Sequence, residues 1–253
     1  MQMRWLASSL ALAAVLLTAC SDSTRPRSLS VSVTSKSVGV TASAVSPSGL
    51  SADIQVGTGA SSLTITSVQL VLAEIELTNG GTCASSGKDD GCEEVELGPL
   101  FVDVPMNGTA KPILDASVPA GSYSELEAKL DAVNSGEEGE EGAASFLLAH
   151  QDLAGVSVRV VGVFTDGNGM PHDFTFTSNV EAEIEMAFPS PVSVDATTSN
   201  LTIDVDVASW FKDASGGVID PMDVANAEAI NANIKKSFKA FEDDDRDGTP
   251  DRD

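Results

Sequence analysis

Alternating aspartates near the C-terminal end of the sequence are the residues best suited to chemistry. Asp243, Asp245 and Asp247 are spaced two residues apart, and Gly248 follows the third. Carboxylates at positions one, three and five of a loop can converge on one calcium ion, and a glycine at position six allows the sharp turn that this requires. The spacing therefore predicts a calcium loop. The alternative is an acidic tail that is simply solvated.

The remainder of this loop offers an incomplete set of ligands. Thr249 could contribute its backbone carbonyl, and Asp251 occupies position nine. The printed sequence stops at Asp253, position eleven, so we expect no bidentate acid at position twelve. The expected affinity is accordingly weak, about 10⁻⁴ to 10⁻³ M, as in extracellular modules. The segment resembles the calcium loops of dockerins and of thrombospondin type 3 repeats, which implies the same ion.

The two histidines are the other candidates for chemistry. His150 lies two residues before Asp152, and His172 lies directly before Asp173, so a site of two histidines and two aspartates is conceivable. Isolated loop histidines are the simpler interpretation. The sequence also lacks a Gly-x-Ser-x-Gly elbow and a phosphate-binding glycine loop with lysine. We therefore expect no enzyme, and the alternative is a cell-surface hydrolase with a cleft formed by His150 or His172 and nearby acids.

The N-terminus has the layout of a bacterial lipoprotein signal. Arg4 precedes a mostly apolar run that ends in Leu17-Thr18-Ala19, and Cys20 follows. The thiol of such a cysteine is diacylated before cleavage, so Cys20 is predicted to become the lipidated first residue. The apolar run is too short to span about 30 Å of hydrocarbon. Ser21 is not the aspartate associated with inner-membrane retention in enteric bacteria, so we expect an anchor in the outer membrane.

The composition fits an exported body. There are 38 acidic and 14 basic residues, and the formal net charge is −24. Such a field repels nucleic acid and attracts cations and basic partners. Once Cys20 is lipidated, Cys83 and Cys92 remain as an even pair, which we interpret as a disulfide in an oxidising compartment. A metal pair and a redox pair are the alternatives, but the spacing suits neither.

Most of the sequence between residues 29 and 219 alternates apolar and polar residues, which is typical of half-buried strands. A change of phase near Ser67 predicts a bulge or bend. Asp166-Gly-Asn-Gly169 between two such segments is the clearest hairpin signal. Many short strands with almost no helical period favour an all-β antiparallel sandwich. The alternating segments include 29–33, 38–40, 63–77, 95–104, 156–164, 174–176, 184–186 and 201–207.

One helix is predicted, over residues 220–242. Asp220 can cap it and Pro221 suits its first position. A single apolar stripe then recurs at helical spacing, formed by Ile230, Ile234, Phe238 and Phe241. We therefore expect this helix to pack on a sheet. The predicted organisation is a signal peptide (1–19), a lipidated tether (20–28), a β-sandwich domain (29–219), the helix (220–242) and the acidic tail with its calcium loop (243–253).

Three stretches carry a resemblance to a known family. They are Leu63-Thr-Ile-Thr-Ser-Val-Gln-Leu-Val-Leu-Ala-Glu-Ile-Glu-Leu77, Val118-Pro-Ala-Gly-Ser-Tyr-Ser-Glu-Leu126 and the segment from Leu201 to Trp210. The region from about 60 to 210 resembles an uncharacterised β-sandwich family of bacterial surface lipoproteins. The resemblance implies a transthyretin-like or immunoglobulin-like fold and supplies no catalytic residues.

Together these features predict a non-catalytic, lipid-anchored protein of the bacterial envelope. We expect it to act as a binding or scaffolding module assisted by calcium. Its expected partners are the membrane, through the lipid anchor, and a protein or glycan of the envelope, with no nucleic acid.

Overall fold

The computed structural model describes residues 27–35, 53–79, 95–118, 121–134, 142–194 and 199–251. These residues contain twelve strands and three α-helices. The strands are β1 (Arg27–Thr34), β2 (Ile54–Val56), β3 (Ser62–Asn79), β4 (Val95–Leu97), β5 (Leu100–Asp103), β6 (Lys111–Val118), β7 (Gly121–Leu130), β8 (Val158–Thr165), β9 (Pro171–Ser178), β10 (Ala182–Val194), β11 (Ser199–Val205) and β12 (Phe238–Glu242). The helices are α1 (Ala143–Ala149), α2 (Val207–Trp210) and α3 (Ala227–Ile234), with short 3₁₀ turns at Gln151–Leu153 and Val224–Asn226.

The 18-residue strand β3 organises the larger, eight-stranded sheet. Its first half pairs with β8 and its second half with β7, and β2, β4 and β5 pair along its opposite edge. β9 and β10 complete the sheet beside β8 and β7. The register of β3 against β8 shifts between Ile65 and Ser67, which confirms the predicted irregularity near Ser67.

The smaller sheet has the order β12-β11-β1-β6. β1 pairs with β6 in antiparallel orientation but with β11 in parallel orientation. The prediction of a purely antiparallel sandwich is therefore wrong at this pair. Parallel neighbours need a long crossover between them, and here all eight strands of the larger sheet lie between β1 and β11 in the sequence.

One large apolar core is shared by the two sheets, which confirms the all-β architecture with two sheets, and a smaller apolar cluster surrounds Phe146 of α1. Inward residues of β1 and β11, such as Val31 and Ile203, belong to the same core as Ile65 and Leu77 of β3. Trp210 is fully buried, as its position after a strong strand predicts. None of the helices in the described residues combines the length and the apolar run that crossing a membrane requires.

The C-terminal helix predicted over residues 220–242 is much shorter in the structure. α3 covers only Ala227–Ile234, where Ile230 and Ile234 face the core, and the chain then becomes strand β12. β12 pairs with β11 from Val205 to Leu201, so it satisfies backbone groups along one edge of β11. The spacing of Phe238 after Ile234 fits a helix locally, but pairing with a buried strand overrides it.

Candidate metal centre

The predicted calcium loop begins where β12 ends. The backbone N–H of Asp251 donates to the carbonyl of Glu242 at 3.0 Å, so the two ends of the loop are hydrogen-bonded to each other. Gly248, at position six, has a φ of 76°, which favours glycine. One side-chain oxygen from each of Asp243, Asp245 and Asp247 lies within 4.8 Å of the other two. The structure thus brings together the three carboxylates that the spacing selects.

Asp243 differs from the other two because its side chain is completely buried. Its Oδ2 accepts hydrogen bonds from the Oγ1 of Thr202 at 2.7 Å and from the backbone N–H of Gly248 at 3.1 Å. Its Oδ1 is buried without any hydrogen-bond partner. Burial raises the pKa of Asp243 above its ordinary value, while hydrogen bonds from Thr202 and from the loop backbone act in the opposite direction. A buried acceptor of this kind needs a partner, and a cation is one.

The hydrogen bonds of the remaining loop residues are made within the loop itself. Asp245 and Asp247 are exposed. The N–H of Asp247 donates to Asp245 Oδ1 at 3.1 Å, and the N–H of Thr249 donates to Asp247 Oδ1 at 2.7 Å. Asp251, a predicted ligand, lies outside the group of three converging carboxylates. Its Oδ2 accepts from the N–H of Asp244 at 2.7 Å, so that oxygen closes the loop.

Residues far away in the sequence support the loop from beneath. The side-chain amide of Asn200 donates to the carbonyl of Asp243 at 2.8 Å and to Thr202 Oγ1 at 3.1 Å. Ser32 on β1 donates to Asn200 Oδ1 at 2.8 Å. Alternation along β11 predicts that Thr202 faces solvent, but Thr202, Asn200 and Ser32 are all buried. Neither the composition nor the spacing of the sequence signals these contacts, because they join strands distant in the chain.

The donor set is chemically uniform. The three converging groups are carboxylates, and hard cations such as calcium and magnesium prefer oxygen ligands, whereas zinc prefers nitrogen and sulfur. Comparisons with protein-family models, curated proteins and solved structures found no match to this chain. The assignment of an ion therefore depends on the geometry alone.

The histidines are not brought into a comparable cluster. The ring of His150 stacks on Phe101 with centroids 4.7 Å apart and also contacts Phe146. His172 lies 3.4 Å from Asp166 at the exposed hairpin tip. In the described part of the chain, the aspartates of the C-terminal loop form the one group of three or more potential metal ligands.

The aspartates near the histidines are held mainly by other groups. Asp152 lies 2.6 Å from the guanidinium of Arg159, whose hydrogen bond lowers the pKa of that carboxyl. The pKa of Asp166 is lowered mainly by N–H groups of its own turn, from Met170 and Asn168. Both arrangements are those of structural surface carboxylates.

The sites predicted at Cys20, Cys83 and Cys92 lie outside the described residues. Lipidation of the first and a disulfide between the other two therefore stay predictions.

Proposed function

We propose that this protein is a non-catalytic, lipid-anchored module of the bacterial envelope that binds or scaffolds a partner and takes up calcium in its C-terminal loop. The observation that carries the calcium proposal is the buried, unpartnered Oδ1 of Asp243 beside the carboxylates of Asp245 and Asp247. The proposed location in the envelope is supported by the lipoprotein-like N-terminus and Cys20.

Electrostatics favours an ion in this loop. Three carboxylates this close together repel one another, and the protein as a whole carries a formal charge of −24. A divalent cation would reduce the local repulsion and give the buried oxygen a partner. Extracellular calcium loops bind in the range of about 10⁻⁴ to 10⁻³ M, which suits a site whose outer ligands are exposed.

The finer fold type belongs to the same proposal. We propose that the two-sheet body is transthyretin-like or immunoglobulin-like and related to the surface-lipoprotein family that residues 60–210 resemble. A rigid sandwich with loops at its ends is a common scaffold for binding, and the acidic surface would favour a basic region on a protein partner.

Calorimetric titration of the exported protein with calcium tests the site. We expect one equivalent to bind, and Asp245→Ala to weaken binding at least tenfold because it removes one of three charged ligands. Asp173→Ala is the matched control, since Asp173 is an exposed carboxylate on β9, remote in sequence from the loop. If millimolar calcium neither binds to the wild-type protein nor raises its melting temperature, the solvated-tail interpretation is correct.

Membrane fractionation tests the anchor separately. The full-length precursor should partition into the outer-membrane fraction and incorporate labelled fatty acid, whereas Cys20→Ala should do neither. A Cys20→Ala protein that still partitions into membranes would refute the lipid-anchor proposal without affecting the calcium site.

A further inference from the structure

We infer that Thr202 and Asn200 of β11 are positioning residues for the cation, so that the site is composed of the small sheet and the loop together. This inference rests on the proposed calcium function. It starts from a difference between the two carboxylate oxygens of Asp243 in the hydrogen bonds that they accept. Oδ2 has two donors, Thr202 Oγ1 and the N–H of Gly248, while Oδ1 has none.

The directions of these hydrogen bonds are fixed by chemistry. The amide nitrogen of Asn200 can only donate, and it does so to the carbonyl of Asp243 and to Thr202 Oγ1. The Thr202 hydroxyl accepts that bond and has one proton, which is therefore available for Asp243 Oδ2. Ser32 donates to the carbonyl oxygen of the Asn200 amide. The hydrogen bonds therefore form a series that begins at Ser32 on β1, passes through Asn200 and Thr202 on β11, and ends at the carboxylate of Asp243.

Two backbone contacts hold the start of the loop against the same strand. The N–H of Asp243 donates to the carbonyl of Asn200 at 3.0 Å, and the N–H of Asn200 donates to the carboxylate of Asp244 at 3.0 Å. Asn200 is therefore bonded to the loop through its backbone and its side chain. This fixes the main chain of Asp243 before any ion arrives.

The consequence is a preorganised first ligand. Because the donors occupy Oδ2, the carboxylate cannot rotate freely, and Oδ1 is the oxygen left for the cation. Partners that orient a ligand in this way typically change metal affinity by about 10- to 100-fold when they are removed. Asp245 and Asp247 receive local loop bonds, as described above, so the sheet acts on the ion mainly through Asp243.

The test is the calcium dissociation constant of Thr202→Val, which keeps the shape of the side chain and removes the hydroxyl. We expect the dissociation constant to rise about tenfold, and Thr202→Ser to remain within about threefold of the wild type. Ser157→Ala is the control for the loss of a buried hydroxyl. Ser157 is buried directly before β8 in the larger sheet, and its hydroxyl donates to the carbonyls of Ser178 and Val180 and not to the loop. Its replacement should leave calcium affinity unchanged.

The outcomes separate the two proposals. If the wild-type protein does not bind calcium, the proposed function fails. If it binds calcium and a folded Thr202→Val binds equally well, or if Ser157→Ala loses as much affinity, the positioning role is wrong. If Thr202→Val does not fold, Ser32→Ala tests the same series of hydrogen bonds, because it removes the bond from Ser32 to Asn200. A severalfold loss of affinity in Ser32→Ala then supports the inference, and an unchanged affinity overturns it.

Discussion

The indole Nε1 of Trp210 donates a 2.7 Å hydrogen bond to Oγ of Ser237, and both side chains are buried. Ser237 Oγ in turn donates to the carbonyl of Ile234 at 2.7 Å. This serine therefore holds the end of α3 against the residue that closes α2, and β12 begins directly after it. The contact links the helix terminus, the core tryptophan and the edge strand of the small sheet.

Replacing this serine should destabilise the protein. In Ser237→Ala the indole N–H stays buried without its partner, which costs about 1–3 kcal/mol of unfolding free energy. Chemical denaturation measures the loss. Ser145→Ala, on the exposed face of α1, is the control and should change stability by less than about 0.5 kcal/mol. Equal stability of both variants would mean that the indole finds another acceptor.

A row of like charges on the larger sheet predicts a pH-dependent effect. Glu127 lies directly opposite Glu76 on β3 and Glu185 on β10. Its pKa is raised above the ordinary value of 4.5 by partial burial and then by neighbouring glutamates, of which Glu183 acts most strongly. The protonated form is therefore favoured by folding. The stability that Glu127 contributes is present below pH 4.5 and is lost as the pH rises through the folded-state pKa.

Glu127→Gln should consequently raise the melting temperature at pH 7. Cross-strand like-charge pairs cost about 0.2–1 kcal/mol, and partial exposure places this effect toward the lower end. The gain should shrink as the pH approaches 4 and also as salt is added. Melting curves between pH 4 and 8 provide the measurement, with exposed Glu181→Gln as control. A gain that is independent of pH would contradict an electrostatic origin.

The close approach of β3 and β8 at their register shift leaves no room for a side chain at Gly162. A Cβ built there would lie 2.2 Å from the carbonyl oxygen of Thr64. Gly162→Ala must therefore separate the strands, and we expect a loss of about 1–3 kcal/mol. Gly167→Ala is the control, because its nearest contact would be 4.0 Å away. If Gly162→Ala unfolds at the wild-type denaturant midpoint, the tight pairing is refuted.

The disulfide prediction can be tested by thiol chemistry. Protein taken from the periplasm and unfolded without a reductant should show no free thiol at Cys83 or Cys92. The double variant Cys83→Ser/Cys92→Ser should lose about 2–3 kcal/mol of unfolding free energy, because the unfolded chain is no longer constrained by the closed loop. Two titratable thiols in the exported wild-type protein would exclude the bond.

Local patterns in the sequence predict much of this fold. The hairpin between β8 and β9 is predicted by Asp166-Gly-Asn-Gly169, and Asp166 Oδ1 indeed accepts from the N–H groups of Asn168 and Met170. The convergence of Asp243, Asp245 and Asp247 is likewise predicted by their spacing, since loop geometry over five residues is a local property.

The parts that the sequence does not predict depend on distant pairing. Phe238 fits both a helical stripe and a strand, and only the available edge of β11 decides for the strand. Thr202 alternates with apolar residues like any solvent-facing threonine, yet the returning loop covers it. Burial of a polar residue by a segment elsewhere in the chain leaves no local periodicity to detect.

The parallel pairing of β1 with β11 sets an order of assembly. Ser32 and Asn200, which meet across these strands, are 168 residues apart in the sequence. β1 is made early but lies between β6 and β11, so its sheet cannot close before residues 199–205 have emerged, and contacts of such long range slow folding. If the chain is exported unfolded, as proposed above, this delay keeps its body incomplete during passage. The aspartate loop is the last described segment of the sequence, so under that proposal it is completed only after export.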